Sequence, residues 1–263
     1  MRADALWRFP GARSVALAAV AFLYLPIVVL VLLSFSDGDS LAEWSGVSLR
    51  WYREVFDNAD MQRAIRNSLV VACTATLLAT VAATMAALVL ARGQFRGKRA
   101  MEALLGLPLV VPEIVGGIAI LMFFVLVGIR LGIVSIVLAH TVFVTPFAYL
   151  PIRARLDGLN PAFAEAAADL YAGPVRAFLR VTLPLIWPGI AAGAMLAFIG
   201  SLGDVVVSYF VSGPGATTLP VYIFSMVRMG VTPMVNAVSS LLLFISLALL
   251  TVSYLLGRRY ASN

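Results

Sequence analysis

The segment RARLDGLNPAFAEAAADLYAGPVRAFLRVTLP, residues 153–184, separates two long apolar runs and carries helix signals of its own. It is much longer than the roughly two to eight residues that usually connect packed helices. Asn160 can cap a helix whose first position is Pro161, because proline lacks the N–H that would be unpaired there. The segment therefore predicts a short helix to about Leu170 and, after Gly173, a second short helix.

The first of these predicted helices has two distinct sides. Phe163, Ala167 and Leu170 share one face at helical spacing, and Glu165 and Asp169 form an acidic stripe beside it. Such a helix pair suits either of two roles, resting on lipid headgroups or docking a cytoplasmic partner. The pattern alone leaves both open.

Outward from this segment, apolar runs dominate the chain. Of its 263 residues, 62% are hydrophobic and 12% are charged, against about 25% charged in a soluble domain. Each run approaches the roughly 20 residues that cross a bilayer as a helix, and the first is longer than the apolar part of a signal peptide. We therefore predict an all-α membrane protein, a single transmembrane domain over residues 1–263. Its six expected spans are 14–34, 67–91, 103–128, 133–152, 185–211 and 236–256.

The basic residues predict the orientation of these spans. The N-terminus, residues 92–102, residues 153–184 and the C-terminus hold three, four, four and two of the 19 Lys and Arg residues. Because basic residues stay on the cytoplasmic side during insertion, both termini are expected in the cytoplasm and residues 35–66 outside. Cations scattered between spans also argue against nucleic-acid binding.

Helix breakers and small residues indicate helices that face a bundle interior. Backbone groups freed by a breaker are tolerated at membrane depth only where protein or a wet cavity satisfies them. The breakers are Pro108, Pro112 and Gly116–Gly117 in the third span, Pro146 in the fourth and Pro188 in the fifth. In the fifth span a small residue recurs at every fourth position, which predicts close helix packing. These residues, here called the small-residue seam, are Gly189, Gly193, Ala197 and Ser201.

Two acids, Glu113 and Asp204, lie inside predicted spans. An ionisable group there costs on the order of 3 kcal/mol and normally faces a cavity or a partner. The two carboxylates suit the path of a cationic solute, since charge attraction is strong at low dielectric. Alternatively they pair with polar groups such as His140 or Ser201, or hold two subunits together. His140 itself is expected to form hydrogen bonds between helices.

Aromatic residues near the predicted membrane surface also allow two interpretations. Tyr209 and Tyr222 can add cation–π contacts to a cation, although aromatics in membrane helices more often serve packing. Trp51 and Tyr52, in the loop expected outside, fit an interfacial aromatic belt.

Catalytic and cofactor chemistry is not expected on this chain. One histidine and one cysteine do not make a zinc ligand set, and the sequence shows no nucleophile–base constellation. Residues 93–99, GQFRGKR, have three rather than four residues between their glycines and no preceding strand, so they fail as a phosphate loop. We expect no catalytic residue, metal or cofactor here.

Residues 153–184 resemble the signature of ABC importer permeases, in which EAA, a glycine and then I-x-L-P precede the penultimate helix. This chain has Glu165, Ala166 and Ala167, then Asp169 and Leu170, and ends the segment with VTLP at residues 181–184. Tyr171 stands where the family usually has glycine, and a glycine follows at Gly173. In the family this helix docks on the ATPase, which implies ATPase-coupling residues Glu165, Ala166, Ala167, Asp169, Leu170 and Gly173.

The resemblance extends over nearly the whole chain and is greatest to the family's polyamine permeases, which import spermidine and putrescine. It is carried by FRGK at 95–98, the pair Pro112-Glu113, the histidine of AHTVF, GDVVVSYFVSGPGATTLP at 203–220 and SMVRMGVTPMVNA at 225–237. It implies a type I ABC importer fold, with a core of five helices and a peripheral first helix, in a bacterial inner membrane.

The implied partners are a second, homologous permease, two ATPases that bind ATP and Mg²⁺, and a periplasmic binding protein docking near Trp51 and Tyr52. Transport would follow alternating access, with Glu113, Asp204, Tyr209 and Tyr222 along the solute path. The alternatives are another small amine or amino-acid-like solute, or an ion-coupled secondary transporter using the same acids. An ion-coupled transporter does not explain the presence of the cytoplasmic helix that carries Glu165.

Overall fold

The computed structural model describes residues 11–39, 44–160, 162–230 and 232–261. Pro161, Arg2 and Arg8, which entered the predictions above, lie outside these ranges. Apart from one isolated antiparallel bridge between Ser36 and Val47, the regular elements in this part of the chain are helices. They are α1 Ala12–Leu33, α2 Arg50–Asp57, α3 Ala59–Arg92, α4 Lys98–Val110, α5 Glu113–Val127, α6 Ile133–Asp157, α7 Ala162–Asp169, α8 Pro174–Ala177, α9 Leu183–Gly203, α10 Val206–Val211, α11 Leu219–Met229 and α12 Pro233–Ala261.

The helices group into two compact units, Met1–Gln62 with Ser225–Ile245, and Arg63–Phe224 with Ser246–Asn263. The second unit contains α4 to α10 and all the residues expected to carry function except Trp51 and Tyr52. Its interior is built mainly from α3, α6 and α9, whose facing residues are small or branched and fully buried. Examples are Ala79, Ala83, Ala148, Ile152 and Ile186.

Four described helices are long and apolar enough to cross a membrane: Arg13–Leu33, Ala59–Ala91, Ile133–Asp157 and Pro174–Gly203. The bent pair α4 and α5 makes a fifth if it is counted as one span. In α12, only Pro233–Ala248 appears among the apolar stretches, and it is shorter. The all-α membrane fold is thus confirmed, while the sixth crossing stays a prediction.

Two predicted spans are interrupted, the third at Pro112, one of the breakers named from the sequence, and the fifth at a position where no breaker was named. The third breaks at Val111–Pro112, where α4 and α5 meet at 113°. The fifth ends at Gly203, and a separate short helix, α10, begins at Val206. Apolar composition continues through both breaks, so hydropathy alone does not reveal them. By contrast, Pro146 and Pro188 lie inside continuous helices.

Helix α3 is longer than the second predicted span, 67–91. Helix α3 starts at Ala59, because the side-chain oxygen of Asn58 accepts hydrogen bonds from the N–H groups of Asp60 and Met61, each at 3.0 Å. At 34 residues and about 1.5 Å per residue, α3 is far longer than the roughly 30 Å of hydrocarbon. It therefore extends beyond the membrane.

The small-residue seam is confirmed as a packing surface. Gly189, Gly193, Ala197 and Ser201 are all buried, and α9 lies against α6 along them. A Cβ on Gly193 would stand 2.5 Å from the carbonyl oxygen of Ala148. Only glycine allows that approach, so the backbones of the two helices touch there.

The first short helix predicted within residues 153–184 is present, although α6 first continues to Asp157, past the predicted end of the fourth span at residue 152. The side-chain oxygen of Asn160 accepts a hydrogen bond from the N–H of Ala162 at 3.0 Å, and α7 follows. The second predicted helix is different, because α8 continues through a wider π-helical turn, Phe178–Thr182, into α9. Residues 174–203 therefore form one continuous helical stretch, and the turn at residues 170–173 separates it from α7.

Candidate functional site

Both intramembrane acids predicted from the sequence open onto one small cavity in the second unit, of about 110 Å³. Glu113 reaches it from the first turn of α5, after the break at Val111–Pro112. Asp204 reaches it from the break between α9 and α10. The rest of the lining is Pro108, His140, Phe143, Val144, Phe147, Gly200 and Val207. Two interruptions of the helices thus bring two carboxylates to the same place.

The Asp204 carboxylate is held by three contacts. Its Oδ1 accepts a hydrogen bond from the N–H of Ser208 at 2.8 Å, and its Oδ2 accepts one from Val207 at 3.3 Å, so the carboxylate caps α10. Oδ1 also lies 3.2 Å from His140 Nε2. The side chain is 16% exposed. The alternative that Asp204 pairs with His140 is therefore confirmed, and the carboxylate still borders the cavity.

His140 is the interhelical hydrogen-bonder expected from the sequence. Its side chain is 2% exposed. From α6, its Nδ1 lies 2.7 Å from Ser201 Oγ on α9, and its Nε2 lies 2.9 Å from Ser208 Oγ on α10. The ring therefore ties three helices together at the break beside Asp204.

Glu113 is in a different environment. Its side chain is exposed, and the described residues offer it no hydrogen-bond or ion-pair partner. The two glycines that follow it are buried, because a Cβ on Gly116 would stand 2.5 Å from the Phe143 ring and one on Gly117 2.8 Å from Phe210. Close packing of α5 thus fixes the backbone of Glu113 while its carboxylate remains available to a ligand.

Tyr209 and Tyr222, the aromatic residues predicted to lie along the solute path, are not among the residues that line this cavity. Tyr209 is about half exposed and makes edge contacts with Phe210 and Phe224, at ring-centroid distances of 5.9 and 6.3 Å. Tyr222 is half-buried. The lining given above includes neither tyrosine, so their contact with a solute stays a prediction.

Trp51 and Tyr52 are packed inside the first unit. Trp51 is buried beneath the guanidinium of Arg50, 4.8 Å from the ring centroid. The hydroxyl of Tyr52 lies 2.7 Å from Ser34 Oγ, and its ring contacts Phe35. Docking of a binding protein on these two residues stays a prediction.

The coupling residues implied by the family resemblance are mostly at the surface. Glu165, Ala166, Asp169, Leu170 and Gly173 are exposed, whereas Ala167 is buried and turns inward. Phe163 and Leu170, which were predicted to share an apolar face, both remain uncovered in this chain. That face is free to meet lipid or another protein.

Hydrogen bonds that were not predicted from the sequence join α3 to the segment between α10 and α11. The amide nitrogen of Asn67 donates hydrogen bonds to the carbonyl oxygens of Gly215 and Thr217, each at 3.0 Å. Ser68 Oγ accepts one from the N–H of Leu219 at 2.7 Å. The adjacent Asn and Ser at the beginning of an apolar run were the only sequence signal. They hold the loop between α10 and α11 against α3.

Comparison with known proteins defines the class first. The structure superposes on a permease from the crystal structure of a bacterial ABC transporter that imports the acidic polysaccharide alginate, with a TM-score of 0.72, 17% identity and coverage of 94% of this chain and 93% of that one. The fold is thus that of a type I ABC importer permease. Residues 79–262 match the family of binding-protein-dependent transport system inner membrane components. The chain belongs to that family.

Among curated proteins, the chain is 41% identical over 239 residues to the spermidine/putrescine transport system permease protein PotC of Haemophilus influenzae, covering 91% of this chain and 93% of the relative. It is 40% identical over 243 residues to the putrescine transport system permease protein PotI of Escherichia coli, covering 90% and 86%. Family membership confirms that the chain is an inner-membrane transport subunit and not an enzyme. It also excludes the ion-coupled alternative.

Proposed function

We propose that this chain forms half of the translocation path of an ATP-driven importer for a small polycation, a polyamine such as putrescine or spermidine. The observation that carries the proposal is the convergence of Glu113 and Asp204 on one cavity. The likeness to permeases named for spermidine and putrescine supports the same solute class.

The cavity has the chemistry that a polyamine requires. Its two carboxylates attract ammonium groups, and the low dielectric strengthens that attraction. Phe143, Val144 and Phe147 add apolar and aromatic surface, which suits the methylene chain between ammonium groups and allows cation–π contact. Glu113 supplies a carboxylate free to bind, and Asp204 supplies one fixed in direction.

Under the same proposal, residues 153–184 couple ATP hydrolysis on the ATPase to movement of the solute path. The exposed residues of α7, with Glu165 at their centre, dock on an ATPase subunit that carries ATP and Mg²⁺. The turn at residues 170–173 joins α7 to α8, and α8 runs through the π-helical turn into α9. Movement of the docked helix is thereby passed to the helix that ends just before Asp204. The remaining partners are a homologous second permease, a second ATPase and a periplasmic binding protein, and both termini face the cytoplasm.

Removing each negative charge while keeping its shape tests the proposed path. Glu113→Gln and Asp204→Asn should each raise the KM for putrescine uptake about tenfold or more, since each removes a charge-assisted contact. Uptake of radiolabelled putrescine is measured in cells that express the complete importer, normalised to assembled complex. Glu102→Gln, an exposed acid of α4 that does not line the cavity, is the matched control. An unchanged KM in both cavity variants would exclude the cationic path.

A further inference from the structure

Asp204 sits at a break in the helices, so the helix backbone does not dictate where its carboxylate points. Two N–H groups of α10 donate to that carboxylate, Ser208 to Oδ1 and Val207 to Oδ2. The third contact comes from another element, from His140 on α6 at 3.2 Å. His140 is the single histidine of the chain, and it is itself anchored on both ring nitrogens.

We infer that His140 is a positioning residue for transport: it fixes the Asp204 carboxylate in the direction from which it meets an ammonium group. That the ligand is an ammonium group rests on the proposed function. That His140 holds the Asp204 carboxylate rests on the geometry around His140. His140 also lines the cavity, so a shift of its ring would displace the carboxylate within the path itself.

The contact with Asp204 fixes one proton of this cluster. An ionised carboxylate only accepts, so the nitrogen facing Asp204, Nε2, carries the hydrogen. Nδ1 shares a hydrogen bond with the hydroxyl of Ser201 at 2.7 Å. Ser208 shares the other side, since its Oγ lies 2.9 Å from Nε2 and its N–H donates to Asp204. What Asp204 needs from His140 is therefore one N–H donor at the Nε2 position.

Burial makes this donor important. The Asp204 side chain is 16% exposed, and a largely buried carboxylate that loses a donor turns towards another one. The lining of the cavity brings Glu113 to the same space and offers no cation from the described residues. Without the donor at Nε2, Asp204 is expected to rotate and to meet an ammonium group poorly.

Two substitutions of His140 by amide side chains test whether Asp204 needs the imidazole ring itself or only an N–H donor at the Nε2 position. His140→Gln can place an N–H near the position of Nε2, whereas His140→Asn reaches only the position of Nδ1 and keeps the contact with Ser201. With the complete importer, His140→Gln should keep the KM for putrescine within about threefold of the natural chain. His140→Asn should raise it about tenfold, the effect of losing one charge-assisted bond.

A second readout does not depend on the solute. Hydrogen exchange at the α10 amides of Val207 and Ser208, which Asp204 caps, should accelerate severalfold in His140→Asn and stay unchanged in His140→Gln. If the natural importer takes up no polyamine, the proposed function fails, and the exchange data still decide whether His140 positions Asp204. Equal KM and exchange in His140→Asn and the natural chain would overturn the inference. It would be overturned also if both variants lost assembly alike, or if His140→Gln behaved as His140→Asn in an intact complex.

Discussion

Tyr171 adopts a backbone conformation that a side chain makes costly. Its φ of 52° lies in the left-handed region, at a cost of roughly 1 kcal/mol for a residue other than glycine. The N–H of Ala172 donates to the carbonyl of Ala167 at 3.0 Å, the bond that closes a helix through a left-handed residue. The side chain is 96% exposed and gains little packing in return. The turn that the family usually builds with glycine is thus built here with tyrosine.

Substitution of Tyr171 tests whether this turn matters for coupling. Tyr171→Gly should keep solute-stimulated ATPase activity within about twofold, because glycine adopts the same φ without strain. Tyr171→Val should lower it markedly, because a branched Cβ is poorly tolerated at positive φ. ATPase activity of the purified complex is the measurement. A valine variant as active as the natural chain would show that the turn is not needed.

Glu165 is one of the two exposed acids of α7, in the segment that resembles the docking helix of the family. Glu165→Ala should abolish putrescine uptake because ATP hydrolysis is no longer coupled to movement of the permease. The chain should remain inserted in the membrane. Uptake, ATPase activity and co-purification of the ATPase are measured together, with Glu165→Gln as the shape-preserving control. Normal transport with normal ATPase association in Glu165→Ala would remove this residue from the coupling interface.

At the scale of helices, close contact between α6 and α9 sets the frame of the site. Asp204 follows the last residue of α9, and His140 lies on α6. The distance between their side chains is therefore fixed by the small-residue seam. A larger residue at Gly193, which contacts Ala148, should therefore change the distance between Asp204 and His140 at the cavity.

Gly193→Ala and Gly200→Ala form a matched pair on α9. An added Cβ at Gly193 would stand 2.5 Å from a backbone oxygen, whereas at Gly200 it would stand 3.7 Å from a methyl group of Val144. Separating two backbones costs about 1 to 3 kcal/mol, so Gly193→Ala should lower the Tm of the purified complex by about 5 °C. Gly200→Ala should leave the Tm unchanged or slightly higher, since alanine favours helix. Equal Tm values in the two variants would contradict the close approach.

Much of this arrangement was predictable from particular residues. The four-residue spacing of the small-residue seam indicated the buried face of α9, and the isolation of His140 in an apolar run indicated a hydrogen-bonding role. Pro112 was named as a breaker and the helix does break there, whereas Pro146 and Pro188 were also named and interrupt no helix. The break at Asp204 was not predictable, because hydropathy stays high across it. The cavity depends on both breaks, so the sequence named its acids without showing that they meet.

For the whole molecule, the distribution of basic residues predicts a cytoplasmic Lys98 and an external Glu54. Single cysteines at these positions, after replacement of Cys73, should react differently with a membrane-impermeant thiol reagent added to intact cells. Glu54→Cys should be labelled from outside, and Lys98→Cys only after the membrane is opened. Labelling of Lys98→Cys in intact cells would reverse the proposed orientation.

Uptake by the assembled importer tests most directly whether this chain conducts a polyamine. The chain is reconstituted into lipid vesicles with its second permease, its ATPases and its binding protein, and accumulation of radiolabelled putrescine is followed with and without ATP. The expected result is ATP-dependent accumulation that excess spermidine blocks and a neutral amino acid does not. ATP-dependent accumulation of the amino acid, with none of putrescine or spermidine, would contradict the proposed function.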